Sequence, residues 1–176
     1  TDEYISEDRA PIPMILAAGG VHSHLMRQGL RTYTSLNVRS SECLDTHYFA
    51  VLIGIGATTV NAYLAQESIA DRHRRGLFGD QSFDECLRNF RTAIDQGILK
   101  IMSKMGISVI SSYRGGYNFE AVGLSRSLVL EFFPGMPSKI SGIGSAGVQK
   151  KILEQHAKAY RTDVISLPIG GIYRYR

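Results

Sequence analysis

Apolar positions recur at helical spacing from Pro11 to about Gln28, where Met14, Ala18, Val21 and Leu25 share one face behind a proline suited to an opening turn. Gly19 and Gly20 interrupt it, each costing about 1 kcal/mol against alanine in a helix. Either another backbone packs closely there or the helix is broken. Thr32 to Val38 alternates like a short strand. Asp45 to Ala57 is apolar nearly all round, which fits a buried helix and a core strand equally well. Tyr63 to His73 reads as a helix stopped by Arg72-His73-Arg74-Arg75-Gly76, cations then glycine. The strongest signal follows. Ser82-Phe83-Asp84-Glu85 fits a capping box, in which serine and glutamate satisfy each other's orphan backbone donors. Behind it Phe83, Cys86, Leu87, Phe90, Ile94, Ile98, Ile101, Met102 and Met105 make one apolar face that Gly106 can end. At ~1.5 Å per residue that helix spans ~35 Å.

Further along, Ile107 to Tyr113 reads as a strand, Gly115-Gly116 as a turn and Asn118 to Val122 as a short helix. A helix restarts at Leu124-Ser125 and runs to Phe133, before the loop Pro134-Gly135-Met136-Pro137. Ser145 to Tyr160 is amphipathic, with Val148, Ile152, Leu153, Ala157 and Tyr160 expected to face inward and Glu154 to pair with Lys158. The tail Leu167 to Arg176 brings no closing element. Short strands among long helices give a helix-rich, partial α/β domain, a piece of a larger chain.

Composition narrows the classes. The 176 residues are 44% hydrophobic and 20% charged, with 18 glycines and 5 prolines, enough apolar material for a core and too little bias for disorder or collagen. The longest apolar stretch, Tyr48 to Ala57, is half of what a membrane span needs. The acidic first residues lack the basic start and apolar core of a signal peptide. Cys43 and Cys86 stand far apart without a Cys-x-x-Cys, so free thiols in a reducing, cytoplasmic compartment are expected. Charge is uneven: residues 1–88 carry 8 Lys/Arg against 11 Asp/Glu, and residues 89–176 carry 12 against 5. Without RNA-binding aromatics or zinc-finger spacing, a basic half facing an acidic neighbour is favoured over nucleic acid.

Four groups invite chemistry. Gly142-Ile143-Gly144-Ser145-Ala146-Gly147 spells G-x-G-x-x-G, with Asp163 about 20 residues on. A dinucleotide fingerprint follows a buried strand, and a proline loop stands in its place, so glycines leading into a helix are the simpler reading. His22 and His24 point to different faces of a helix, and neither they nor His47 has a completing ligand pattern, so core or interface histidines are expected. Cys86 falls on the apolar face of the long helix, whereas Cys43, in a polar turn, is the better reactive thiol. Tyr113-Arg114-Gly115-Gly116 and Glu120 cluster at the end of the predicted strand, where α/β domains place their sites, although turn chemistry and a surface ion pair explain them too.

Several long strings then become familiar. They are Pro11-Ile12-Pro13 through Val21-His22-Ser23-His24-Leu25, Gly29-Leu30-Arg31, His47 through Ala57, and Lys100 through Ser108. Ser112-Tyr113-Arg114-Gly115, Phe119 through Leu124, Leu167 through Gly171 and Tyr173-Arg174 complete them. From about Asp8 to Arg176 the chain resembles the latter part of the central domain of the glutamate synthase large subunit. Ser23 interrupts what is often a run of histidines there, and Gly116-Tyr117-Asn118 differs from many members.

The resemblance implies a parent enzyme that makes two glutamates from glutamine and 2-oxoglutarate. An amidotransferase domain with a terminal cysteine releases ammonia, which passes through a tunnel to an FMN-bearing barrel. Electrons arrive through a 3Fe-4S cluster from NADPH, NADH or ferredoxin, by way of a small subunit or ferredoxin itself. On that reading residues 1–176 are a connector inside one domain, with 161–176 starting a linker toward the FMN domain. The segment itself is expected to hold no catalytic residue, cofactor or metal, and its partners are the amidotransferase and FMN domains. Ser112, Tyr113, Arg114 and Glu120 are the interdomain-contact candidates. Isolated, such a fragment is expected to be marginal or prone to aggregate. The competing class is a stand-alone nucleotide-binding oxidoreductase built on Gly142–Gly147.

Overall fold

Two small β-α-β units, laced together by longer helices, make up residues 1–163, the part of the chain that the computed structural model describes. The tail strings from Leu167 onward, and nearly all of the expected 161–176 linker, lie outside the described residues. In the first unit β1 (Asn37–Arg39) and β2 (Thr59–Asn61) pair in parallel, Val38 opposite Val60, and α2 (Thr46–Gly54) crosses between them. In the second, β3 (Val122–Leu124) and β4 (Ile140–Ile143) are parallel across α6 (Arg126–Phe132). Parallel strands need such a crossover because a tight turn cannot join them. The partial, helix-rich α/β reading therefore holds.

The core is centred on α2. Asp45 caps it by accepting from the Tyr48 N–H at 2.9 Å, which resolves the run from Asp45 to Ala57 as a helix. Phe49, Ala50, Leu52 and Ile55 are buried in one cluster with Met14 and Ala18 of α1 (Met14–Arg27) and Ile94, Ile98 and Met102 of α4 (Phe83–Lys104). Both halves of the α4 capping box form: Glu85 accepts from the Ser82 N–H at 2.8 Å, and Ser82 Oγ from the Glu85 N–H at 3.3 Å. Gly106 takes the left-handed conformation just past the helix end, φ +70°. Between these elements α3 (Tyr63–Arg74) ends in its cations as expected.

Helix α1 is continuous through its glycine pair, and what packs closely there is a side chain, the Phe133 ring, together with the Phe132 backbone carbonyl. A Cβ on Gly19 would overlap the Phe133 ring and meet the Phe132 carbonyl at 3.0 Å, and Ser23 Oγ donates to that carbonyl at 3.0 Å.

Other expectations need correction. Thr32 to Val38 is strand only from Asn37. Arg31–Tyr33 is a 3₁₀ turn, closed where the Tyr33 N–H and the Thr34 hydroxyl both donate to the Leu30 carbonyl. Ile107 to Tyr113 forms no strand; α5 (Ile110–Tyr113) turns Tyr113 into the core, and burial overrides the β-propensity of its neighbours. The expected helix at Asn118 to Val122 is irregular chain leading into β3. After the loop at Pro134 comes an unexpected strand, β4. Helix α7 (Ser145–Ala159) buries none of its residues, and Leu153 and Tyr160 are exposed. It lies over the surface, and its ion pair is Lys150–Glu154 at 4.0 Å, not Glu154–Lys158. Among the described residues no helix is long and apolar enough to cross a membrane.

The two central glycines of α1 make a sharp contrast. Gly19→Ala is expected to lose about 1–3 kcal/mol through overpacking, several degrees in melting temperature. Gly20→Ala, whose Cβ would meet only the edge of the Phe132 ring at 3.2 Å, should be close to neutral.

Candidate functional site

Helix α2 ends inside the protein, so its last carbonyls need partners other than water. Local bonds close part of the end, with the Ile55, Ala57 and Gly56 N–H groups donating to the Val51, Leu52 and Ile53 carbonyls, and four more donors arrive from distant parts of the chain. The Tyr113 hydroxyl donates to the Ala50 carbonyl at 3.1 Å, the Gly115 N–H to Ile53 at 3.1 Å and the Tyr117 N–H to Gly54 at 3.1 Å. Arg31 Nη2 donates to the Gly56 carbonyl at 2.7 Å, bringing a cation to the negative end of the helix dipole. The bonds from Gly115 and Tyr117 require unusual backbone, φ +72° and +47°; Tyr117 is the one non-glycine with positive φ among the described residues.

Arg31 is held on all sides. Its Nε donates to His22 Nδ1 at 3.0 Å, Nη1 to the Thr34 carbonyl at 2.6 Å, and Nη2 also reaches Thr58 Oγ1 at 3.4 Å. A Cβ on Gly56, at φ +119°, would overlap the His22 ring, so only glycine lets the helix end approach the imidazole. Burial, and then the Arg31 charge, push the His22 pKa below its ordinary value, and the ring accepts at Nδ1 as a neutral imidazole. Beside this network opens a surface hollow of about 320 Å³, walled by His22, Arg31, Arg114, three threonines and Ser35.

The strand-end candidates are arranged around α5 and the loop after it, not around a strand. Tyr113 is fully enclosed and braces α2 from within. Ser112 is exposed, Arg114 sits half-buried at the rim of the hollow, and Glu120 pairs with Lys139 at 3.8 Å. Sequence reasoning includes Arg31 only as part of a string. The signal for its role is the Gly54-Ile55-Gly56 ending of an apolar run, which marks a close approach of backbone to something else.

The reactive-thiol reading of Cys43 is overturned. Cys43 is fully buried, and its thiol is pushed up to about 11, first by burial and further by Glu42, Asp2 and Asp45 nearby. Its surroundings form a polar knot that no local pattern marks. Ser40 and Ser41 donate to the buried Asp2 carboxylate, and Glu42 accepts from the first N–H of α1, Met14, at 2.9 Å and from the Tyr48 hydroxyl. His22 is a buried core histidine as expected, and His24 and His47 are exposed. Among the described residues no three His, Cys, Asp or Glu side chains come together as a metal site.

The glycine-rich loop does follow a strand, β4, so the objection that a loop stands there fails. That strand is mostly exposed, however, and the glycines serve internal packing. A Cβ on Gly142 would overlap the Gly123 carbonyl, and one on Gly147 would come within 2.8 Å of Ile143 Cβ. Asp163 is paired with Arg161 Nε at 2.9 Å. Beyond the loop, α7 and the stretch from Pro11 to Val21, which runs into α1, leave an open apolar groove of about 640 Å³ between them.

Comparison with known proteins agrees with the resemblance in the sequence. Residues 1–125 match the family profile of the glutamate synthase central domain. The chain is 69% identical over all 176 residues to the glutamate synthase [NADPH] large chain of Azospirillum brasilense, and 40% identical over its whole length to that of Bacillus subtilis. It is 38% identical, over 92% of its residues, to the ferredoxin-dependent glutamate synthase of Spinacia oleracea chloroplasts. The chain spans 12%, 12% and 10% of these relatives' lengths.

Two outcomes follow from this geometry. Folding lowers the His22 pKa, so the unfolded chain takes up the proton first, and stability should fall as pH drops below the ordinary 6.5. His22→Asn, which keeps an acceptor for Arg31, should flatten that slope in denaturant titrations between pH 7 and 5. Gly142→Ala should open the β3–β4 pair and raise hydrogen exchange there, while Gly144→Ala, with 3.4 Å to Ser125 Oγ, should leave exchange unchanged.

Proposed function

This chain belongs to the glutamate synthase family, within the central domain, and we propose that it serves there as a non-catalytic connector between the amidotransferase and FMN domains. The parent polypeptide on this reading turns glutamine, 2-oxoglutarate and reductant into two glutamates, using FMN and a 3Fe-4S cluster that other parts of it bind, in the cytoplasm. The connector borders the ammonia tunnel, holding two active sites in register and excluding water between them, so that ammonia stays neutral and is not lost.

The observation that carries the reading is how the segment's polar chemistry is used. His22 is a neutral acceptor for Arg31, Cys43 is sealed, and Asp2 and Glu42 are occupied by serines, a tyrosine and a helix N-terminus. What remains open is surface suited to neighbours: the apolar groove along α1 and α7, and the edge bearing Ser112, Arg114 and Glu120. Tyr113, fully enclosed against α2, stands behind that edge and offers a neighbouring domain no surface. Relatives named for NADPH, NADH and ferredoxin all match this segment, which supports a role indifferent to the electron donor. The internal duties of Gly142 and Gly147 weigh against a nucleotide-binding loop.

Arg114→Ala in the full polypeptide is the test. The ammonia released per glutamate formed should rise severalfold, while amination with supplied ammonium stays within about twofold of the unaltered protein, under ~0.5 kcal/mol. Unchanged coupling would remove this edge from the interdomain contact.

A further inference from the structure

We infer that the hollow bounded by His22, Arg31 and Arg114 is a carboxylate-binding site. Its walls offer donors and no counter-charge. No Asp or Glu lines it, and among the described residues neither arginine has an acidic partner. The four acceptors that hold Arg31 are a ring nitrogen, two carbonyls and a hydroxyl, all uncharged. A guanidinium has five N–H groups, so one on Nη1 is left over. The end of α2 contributes about half a negative charge, which offsets only part of two full cations.

The imidazole adds a directed donor. His22 Nδ1 is occupied by Arg31, so the neutral ring carries its proton on Nε2. That nitrogen lies beside Gly115, whose Cβ, if it had one, would stand 3.8 Å away, next to Arg114 in the chain. No acceptor among the described residues takes this N–H. Thr32, Thr34, Ser35 and Thr58 line the same space, although the Thr34 hydroxyl is committed to the Leu30 carbonyl and Thr58 Oγ1 accepts from Arg31 and the Leu36 N–H. An acceptor-only, planar group with two oxygens fits such a fork. A phosphate dianion fits less well. It favours helix N-termini and nests of backbone N–H groups, and here Arg31 meets the carbonyl end of α2 while Arg114 caps the carbonyl end of α5.

The hollow admits either a small free carboxylate or an Asp or Glu side chain from another part of the longer polypeptide. The second source rests on the connector reading, and the first does not.

The test uses the full polypeptide carrying Arg114→Lys, treated with a water-soluble carbodiimide with and without succinate, then digested and read by mass spectrometry. The reagent activates a carboxyl group, which the adjacent amine converts to an amide. If a free carboxylate occupies the hollow, the introduced lysine should carry succinyl amide about tenfold above the exposed Lys104 and Lys158. If a side chain occupies it, the introduced amine should instead be joined to an Asp or Glu lying outside these 176 residues, and added succinate should not change the yield. An introduced lysine that reacts no more than Lys104 and joins to no side chain overturns the site. Thr32→Lys, at the exposed lip, gives the same reading should the first variant fail to fold. A link or adduct in Arg114→Lys together with unchanged coupling in Arg114→Ala would retain the carboxylate site and remove the connector role of the edge. Lost coupling with no adduct or link would do the reverse.

Discussion

A buried helix end needs partners for its last carbonyls, and that requirement at α2 organises the described chain. The Gly54 carbonyl, whose partner is the distant Tyr117 N–H, would cost about 1–3 kcal/mol if left unpaired. The partners come from both directions along the sequence: Arg31 lies 25 residues from Gly56, and Tyr113 lies 63 from Ala50. Gly115 and Tyr117 follow Tyr113 to the same helix end. Because these partners are far away in sequence, capping one helix fixes the 3₁₀ turn at Arg31, the short helix α5 and the left-handed backbone at Tyr117 together. The His22–Arg31 contact and the hollow beside it are by-products of the same closure.

Local signals in the sequence are legible wherever the chain satisfies itself nearby. The Ser82–Glu85 box, the cations closing α3 and the glycine after α4 all work within a few residues, and all appear where expected. The misreadings occur where a distant contact decides. Ile107 to Tyr113 has the composition of a strand, yet Tyr113 is drawn into the core by the Ala50 carbonyl. Cys43 stands among polar residues that look like a surface turn, but those residues fold over it to hold Asp2. Strand β4 has too few residues to show a pattern and exists because β3 pairs with it. For the candidate site, Arg114 is visible as a residue type in a turn, whereas Arg31 and His22 cannot be joined to it without the helix end that gathers them.

The glycine-rich loop shows how one spacing can serve two physical ends. In a nucleotide site such glycines let a backbone approach a pyrophosphate. Here Gly142 lets β4 approach the Gly123 carbonyl of β3, and Gly147 makes room for Ile143. The requirement is the same, a missing Cβ where another group must come close, and the group that comes close is the protein itself.

The seating of Phe133 against Gly19 bears on synthesis. Ser23 and Phe132, joined by a hydrogen bond, are 109 residues apart. At about 5–20 residues per second, the glycine face of α1 waits roughly 5–20 s on the ribosome before its partner is made. Through that interval α2 can already cover the Met14 and Ala18 side of α1, while the Gly19 face stays open to whatever apolar surface it meets.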